Sequence, residues 1–442
     1  MSHYPPDTVP RLRASDPPGT RRPSWLELLT DLAFVVILGQ LVRRLLEVPG
    51  EVAVGDLLLL VVPVWWLWNG LTFYTNRFAV VNDLGDFLFT VVQLLGLLVL
   101  AVVTKLALTS HANTVLFVCI YAGLRGVVHL QYARVAYFVP VARPYVRHVQ
   151  VGFGVSLACW VGAALAPTPL SYCLWALALA AEIGTPLVAG GRALHQHIPP
   201  DARHLPGRVA TFVLLVLGQV AHGVTQGLSQ TGLSGEGLGR AVLAGLTLIG
   251  LGGAYFTRVY EAPVQALSER QRTGPFWAWV YLHLPLTLCL LVSSAGLTLA
   301  VADKRALALT SLLVGAGVGG SYLVMGLLGL VNQWASEQPQ PGTKLRVTIR
   351  VAAGSCLVLA APWVSPLLLL LLGTATGLGI VLVDYFGPAA PVTGFTTIAS
   401  RYTHDPTKKP GPLKDVPPNL APTEPAAPNQ RVLGLASKEE AC

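Results

Sequence analysis

The chain has 442 residues, 53% of them hydrophobic and 12% charged, with a formal net charge of +8. Soluble domains carry roughly twice that share of charge, and here the apolar residues come in blocks of about twenty, long enough to span a ~30 Å hydrocarbon core. A soluble protein and a nucleic-acid-binding module are both excluded, because the Lys and Arg residues flank the apolar blocks and no basic, aromatic-rich patch occurs.

Residues 1–24 are polar and basic, with Arg11, Arg13, Arg21 and Arg22, and contain no short apolar core followed by a cleavage site. They are expected to form a cytoplasmic N-terminal segment rather than a signal peptide. Six spans follow near residues 25–43, 54–75, 86–107, 113–133, 149–166 and 170–190. A cytoplasmic connecting loop over 191–207 leads to six more, near 208–228, 239–257, 278–300, 307–332, 347–362 and 364–384. The halves are therefore residues 25–190 and 208–385, and the predicted class is an all-α integral membrane protein of about twelve spans. Tight proline turns are expected at Ala166-Pro167-Thr168-Pro169 and at Pro362-Trp363-Val364-Ser365-Pro366. Residues 386–442 are rich in Pro, Ala, Thr and Lys, have no apolar period, and read as a disordered cytoplasmic tail.

Basic residues set the orientation. With the N-terminus cytoplasmic, the inner loops carry about thirteen Lys and Arg residues, among them Arg134, Arg208, Arg346 and Arg350, against six in the outer loops. Both tails add to the inner count, which fits an even number of spans and two cytoplasmic termini. The six cysteines (Cys119, Cys159, Cys173, Cys289, Cys356 and Cys442) include no C-x-x-C pair, and five lie in or beside apolar blocks as small hydrophobes.

Two segments recur in order. Phe34-Val35-Val36-Ile37-Leu38-Gly39-Gln40 resembles Phe212-Val213-Leu214-Leu215-Val216-Leu217-Gly218-Gln219, and Phe73-Tyr74-Thr75-Asn76-Arg77 resembles Tyr255-Phe256-Thr257-Arg258. Two ordered matches at nearly equal offset point to duplicated halves. Six spans per half place both copies in the same orientation, an arrangement used by parallel-repeat transporters with a site between the halves.

The segment Trp25-Leu26-Glu27-Leu28-Leu29-Thr30-Asp31-Leu32-Ala33-Phe34-Val35 resembles the opening signature of the bacterial low temperature requirement protein A (LtrA) family. Tyr74-Thr75-Asn76-Arg77-Phe78 is similar to its second-span exit. Leu174-Trp175-Ala176-Leu177, Thr185-Pro186-Leu187, His204-Leu205-Pro206 and Leu217-Gly218-Gln219 are similar to its central block, and Tyr281-Leu282-His283-Leu284-Pro285-Leu286 to a later one. The resemblance covers about residues 23–385 and implies a multi-pass bacterial cell-membrane protein linked by name to growth in the cold. Gly207, Gln219 and Thr257 stand where the family carries acidic residues, which puts in doubt any proton-coupled role at those positions.

Charge at bilayer depth is costly and has to be compensated or used. Glu27 and Asp31 lie one helical turn apart on the first span, and Arg125 and His129 repeat that spacing on the fourth. The two faces are predicted to meet, with Arg125 as counter-ion, as a structural pair or as a substrate or ion site; interfacial solvation of Glu27 is the competing reading. Glu182, followed by Thr185-Pro186, suits either a distorted helix or the lining of a pathway. Gln219, His222 and Gln226 form a polar stripe for interhelical hydrogen bonds or for a cavity wall. His195, His197 and His204 form a loose cluster that reads as a solvent-facing loop rather than a metal site.

No phosphate loop, nucleophile elbow or H-E-x-x-H motif occurs, so neither an enzyme nor a cofactor is expected. The expected partners are the lipid bilayer and a small solute, ion or lipid, with no nucleic acid. The expected function is transporter-like. The alternatives are a membrane scaffold or factor adapting the bilayer to cold and, more weakly, an intramembrane lipid-modifying enzyme.

Overall fold

In a computed structural model of the protein, the residues described are 10–12, 23–47, 51–79, 84–188, 198–202, 204–257, 262–303, 307–337 and 342–386. The expected tail beyond Phe386, and residues 191–197 and 203 of the connection, with His195 and His197, lie outside them. The described chain is a bundle of thirteen helices. These are α1 (Trp25–Glu47), α2 (Glu51–Arg77), α3 (Leu84–Leu106), α4 (His111–Phe138), α5 (Arg143–Leu165) and α6 (Leu170–Gly184). After the connection come α7 (His204–Ser229), α8 (Gly235–Phe256), a short α9 (Ala262–Arg270) and α10 (Thr273–Ala302). The last three are α11 (Leu307–Ala335), α12 (Thr343–Ala360) and α13 (Pro366–Phe386). Two-residue strands, β1 (Arg11–Leu12) and β2 (Phe78–Ala79), pair antiparallel and tie the N-terminal segment to the exit of α2.

Eleven helices are long and apolar enough to cross a bilayer: α1 to α8, α10, α11 and α13. Their pattern is that of a protein solvated by lipid. Helix α3 leaves Leu95, Leu98 and Val102 exposed at 59%, 53% and 64%, while Gln93 is buried and donates to Gln131 Oε1 at 2.7 Å. Apolar outside and polar inside reverses the arrangement of a surface helix in water. The eleventh predicted span, near 347–362, corresponds to α12, which falls short because Lys344, Arg346 and Arg350 crowd its first half. The short α9 was not foreseen.

Helix ends follow local chemistry. Ser24 and Glu27 form a reciprocal cap at the start of α1, with Glu27 N–H donating to Ser24 Oγ at 3.1 Å and Ser24 N–H to Glu27 Oε2 at 2.9 Å. Ser110 and Ser234 cap α4 and α8 through backbone N–H groups. Helix α6 tightens into a 3-10 turn at Thr185-Pro186-Leu187, where the proline has no N–H to continue the ladder.

Within the first half α1 packs on α2 and α3, α3 on α4, and α5 on both α4 and α6; within the second, α7 packs on α8 and α10, α11 on α10 and α12, and α8 on α13. The first six helices and the later ones touch where α1 and α2 meet α7 and α10. Helices α1 and α7, matched in sequence, run side by side in the same direction. Asp31 meets Arg208 near their starts, and farther along a Cβ added at Gly39 would stand 2.8 Å from Gln219 Oε1.

Helices α8 and α13 approach through glycine. A Cβ at Gly250 would lie 2.8 Å from the Gly377 Cα and 3.1 Å from Tyr322 Oη, whereas one at Gly245 on the same helix meets nothing within 4 Å. Backbone cannot yield as a side chain can, so Gly250→Ala is expected to cost about 1–3 kcal/mol by overpacking. Gly245→Ala is expected to be neutral or slightly stabilising. Thermal unfolding of the two variants in detergent reads the difference.

Candidate functional site

Asp31 sits about 9 Å along α1 from its start, at 1.5 Å rise per residue, and its side chain is fully buried. It accepts two hydrogen bonds from Arg208 of α7, Nη1 to Oδ2 at 2.7 Å and Nη2 to Oδ1 at 2.8 Å. Trp68 of α2 adds its indole N–H to Oδ1 at 2.9 Å, and its ring stacks on Phe212 of α7 at 4.1 Å. A bidentate guanidinium–carboxylate pair is planar and directional, so this contact fixes both the distance and the rotation of α1 against α7.

One turn toward the helix ends lies a second polar layer. Asn76 Oδ1 accepts the Asp201 N–H at 2.7 Å, which turns the amide nitrogen of Asn76 toward His204 Nδ1 at 3.2 Å. His204 Nδ1 therefore accepts, and its proton resides on Nε2, which faces Glu27 Oε2 at 3.6 Å. Arg77 donates from Nε to the Ile198 carbonyl at 3.0 Å, with its guanidinium over the rings of Phe73 and Tyr145. The family-like exit Asn76-Arg77 thus anchors the segment that leads into α7.

The predicted meeting of the Glu27/Asp31 face with Arg125 and His129 is not what the structure shows. Arg125 belongs to Glu182: its Nε donates to Glu182 Oε1 at 3.0 Å, and its guanidinium lies 4.3 Å from the Phe153 ring centre. Ser156 Oγ and Trp160 Nε1 also donate to Oε1, at 2.6 and 3.3 Å, and Tyr121 donates to Oε2 at 3.3 Å. The reason is helix order. Helix α4 lies against α3 and α5, next to α6, while α1 faces α7 across the junction of the halves. Gly70 of α2 leaves room for Arg125, since a Cβ there would stand 2.7 Å from Nη1. His129 is half-buried one turn along, in neither ion pair, and its Nδ1 has no hydrogen-bond partner.

The polar stripe on α7 also divides. Gln219 is half-buried against Gly39 of α1, with its backbone carbonyl accepting from Ser294 Oγ of α10 at 2.7 Å, but His222 is exposed. His204, read as part of a solvent-facing loop, is the first residue of α7 and is buried. Arg208, read as a loop charge, is 2% exposed inside α7. Arg346 and Arg350, also read as loop charges, converge on Asp384 of α13, which accepts from Thr257 Oγ1 at 2.7 Å as well. Thr257, one of the neutral replacements, thus serves a neighbouring carboxylate as a donor.

Beside the Asp31–Arg208 pair, a cavity of about 10 Å³ lies between α2, α7 and α10, lined by Trp65, Trp68, Asn69, Thr72, Trp279 and His283 among others. A larger one of about 430 Å³ opens at the other end of the first half, lined by residues including His111, Thr114, Ser171 and Trp175. It contains none of the ion pairs.

A family model described as bacterial low temperature requirement A protein (LtrA) matches residues 22–391. No curated protein and no solved structure matches the chain. The match takes in every described helix, the Glu27/Asp31 opening and the buried pairs of both halves. The chain belongs to the bacterial low temperature requirement A family.

Proposed function

We propose that this is a non-enzymatic, transporter-like protein of the bacterial cell membrane, with both termini cytoplasmic, that handles a small solute, ion or lipid at the junction of two six-helix halves. The observation that carries the reading is the Asp31–Arg208 pair. It joins the first helix of one half to the first helix of the other through fully desolvated charges. Burying an ion pair is a poor way to gain stability, because desolvation offsets most of the attraction. Such a pair suits a junction that has to hold one arrangement and release it when a ligand competes for either charge. The parallel course of α1 and α7, and the cavity beside the pair, support the same reading.

The test is the thermal midpoint of purified protein against a panel of sodium, potassium, chloride, amino acids and phospholipids. At least one class is expected to raise the midpoint in the wild type and to lose that effect in Asp31→Asn. A panel without effect, together with Asp31→Asn cells that grow normally in the cold, overturns the reading. A scaffold role is favoured by the Gly250–Gly377 contact and the Asp384 cluster, which tie α8, α12 and α13 rigidly together. That reading gains if the panel is silent.

A further inference from the structure

We infer that the lipid-facing side of α7 is an interface at which two copies of this chain pack against each other. Gln219, His222 and Gln226 recur on it at i, i+3 and i+7. Their backbone carbonyls accept from Ser294, Thr225 and Ser229. Among the described residues, however, none of the three side chains has a hydrogen-bond partner. The amide atoms of Gln219 and Gln226 reach the protein surface, and His222 is exposed outright.

Lipid does not supply the missing partners. Helix α7 is ~39 Å long at about 1.5 Å per residue, and Gln219 and His222 lie within about 10 Å of its midpoint, inside a ~30 Å hydrocarbon layer. Acyl chains neither donate nor accept, and headgroups stop at the edge of that layer. Other outward faces obey this constraint: α3 shows Leu95, Leu98 and Val102 to the lipid, and α8 shows Leu238, Val242 and Ile249. The strip on α7 breaks it, with Leu214, Gly218, His222, Thr225 and Ser229 along its most exposed line.

A second copy supplies what lipid lacks. A glutamine amide both donates and accepts, and a neutral imidazole donates from one nitrogen and accepts at the other. Each therefore pairs with its own counterpart across a two-fold axis along the membrane normal, where both copies of α7 run in the same direction. The order Gln219, His222, Gln226, Ser229 alternates steps of three and four, the seam by which parallel helices pack. Side chains of these types hydrogen-bond across membrane helices. Arg208, the one Lys, Arg, Asp or Glu of α7, is buried, so no charge on the strip drives like copies apart. Gly218 leaves space for the approach, since a Cβ there would meet nothing within 4 Å. The pairing requires no movement between the halves and no bound solute.

The test is cross-linking of the full chain in native membranes. Ser229→Cys places a thiol at the end of the strip, and mild copper-catalysed oxidation is expected to give a disulfide-linked band of two chains. Wild type, whose exposed Cys119, Cys173 and Cys356 set the background, and Leu238→Cys on α8 should not give it. Adding Gly218→Leu, which points into open space within one chain, or Gln219→Leu together with His222→Leu, should reduce the band at least about tenfold. If the double variant fails to insert, Gly218→Leu decides alone. No band above background, an equal band from Leu238→Cys, or a band unmoved by Gly218→Leu overturns the pairing. So does cross-linking of Ser229→Cys to a protein of different mass, which would mean that another partner covers this face.

Discussion

Asp31→Asn is expected to lower the stability of the protein by about 3–5 kcal/mol, the usual cost of breaking a buried pair by removing one partner. The substitution keeps the shape of the side chain and the acceptor for Trp68, but leaves the Arg208 guanidinium charged and 2% exposed. Arg208→Gln should cost a similar amount for the opposite reason, since Asp31 is wholly buried. The double variant should lose less than the sum of the two, because neither residual charge remains. Thermal unfolding of the four proteins in one detergent measures the coupling. Losses under ~0.5 kcal/mol, the range of ordinary surface substitutions, would mean that water reaches the pair and that the junction is not a charged lock.

Asp384→Asn should be at least as damaging. Two guanidiniums share that carboxylate, Arg350 through Nη2 to Oδ2 at 2.5 Å and Arg346 through Nε at 3.5 Å, and both arginines are 4% exposed. Removing this carboxylate takes the ion-pair partner from the buried Arg350 and one contact from Arg346, and a buried cation in a membrane helix costs up to about 2.5–3.5 kcal/mol. The expected result is a marked fall in the amount of folded protein recovered from membranes. Asp384→Glu should recover part of it by keeping the charge. Full recovery of Asp384→Asn at wild-type stability would show that α12 is not held by this carboxylate.

What the sequence could reveal was decided by which signals are local. The all-helical membrane class and most of the spans follow from windows of about twenty residues, and the proline turns from the prolines themselves. The Glu27/Asp31 face was legible for the same reason, because i, i+4 spacing alone puts both carboxylates on one side of α1. Its partner was not. Arg125/His129 and His204/Arg208 both place an arginine and a histidine four residues apart, so spacing could not choose between them. The choice depends on which helices are neighbours. A signal was available: His204 and Arg208 stand eight and four residues before Phe212, whose segment resembles the one beginning at Phe34, with Glu27 and Asp31 seven and three residues before it. Arg346 and Arg350 were hidden differently. Positive charges near a predicted span end read as topology markers, and only the fold shows that Asp384, 34 residues on, draws Arg350 into the protein.

That separation bears on how the chain is laid into the membrane during synthesis. A helix with three cationic side chains in its first half enters oil poorly by itself, and the anion that neutralises two of them is translated last. Helices α12 and α13 are therefore expected to enter the membrane together as a hairpin, with Asp384 neutralising charge on α12.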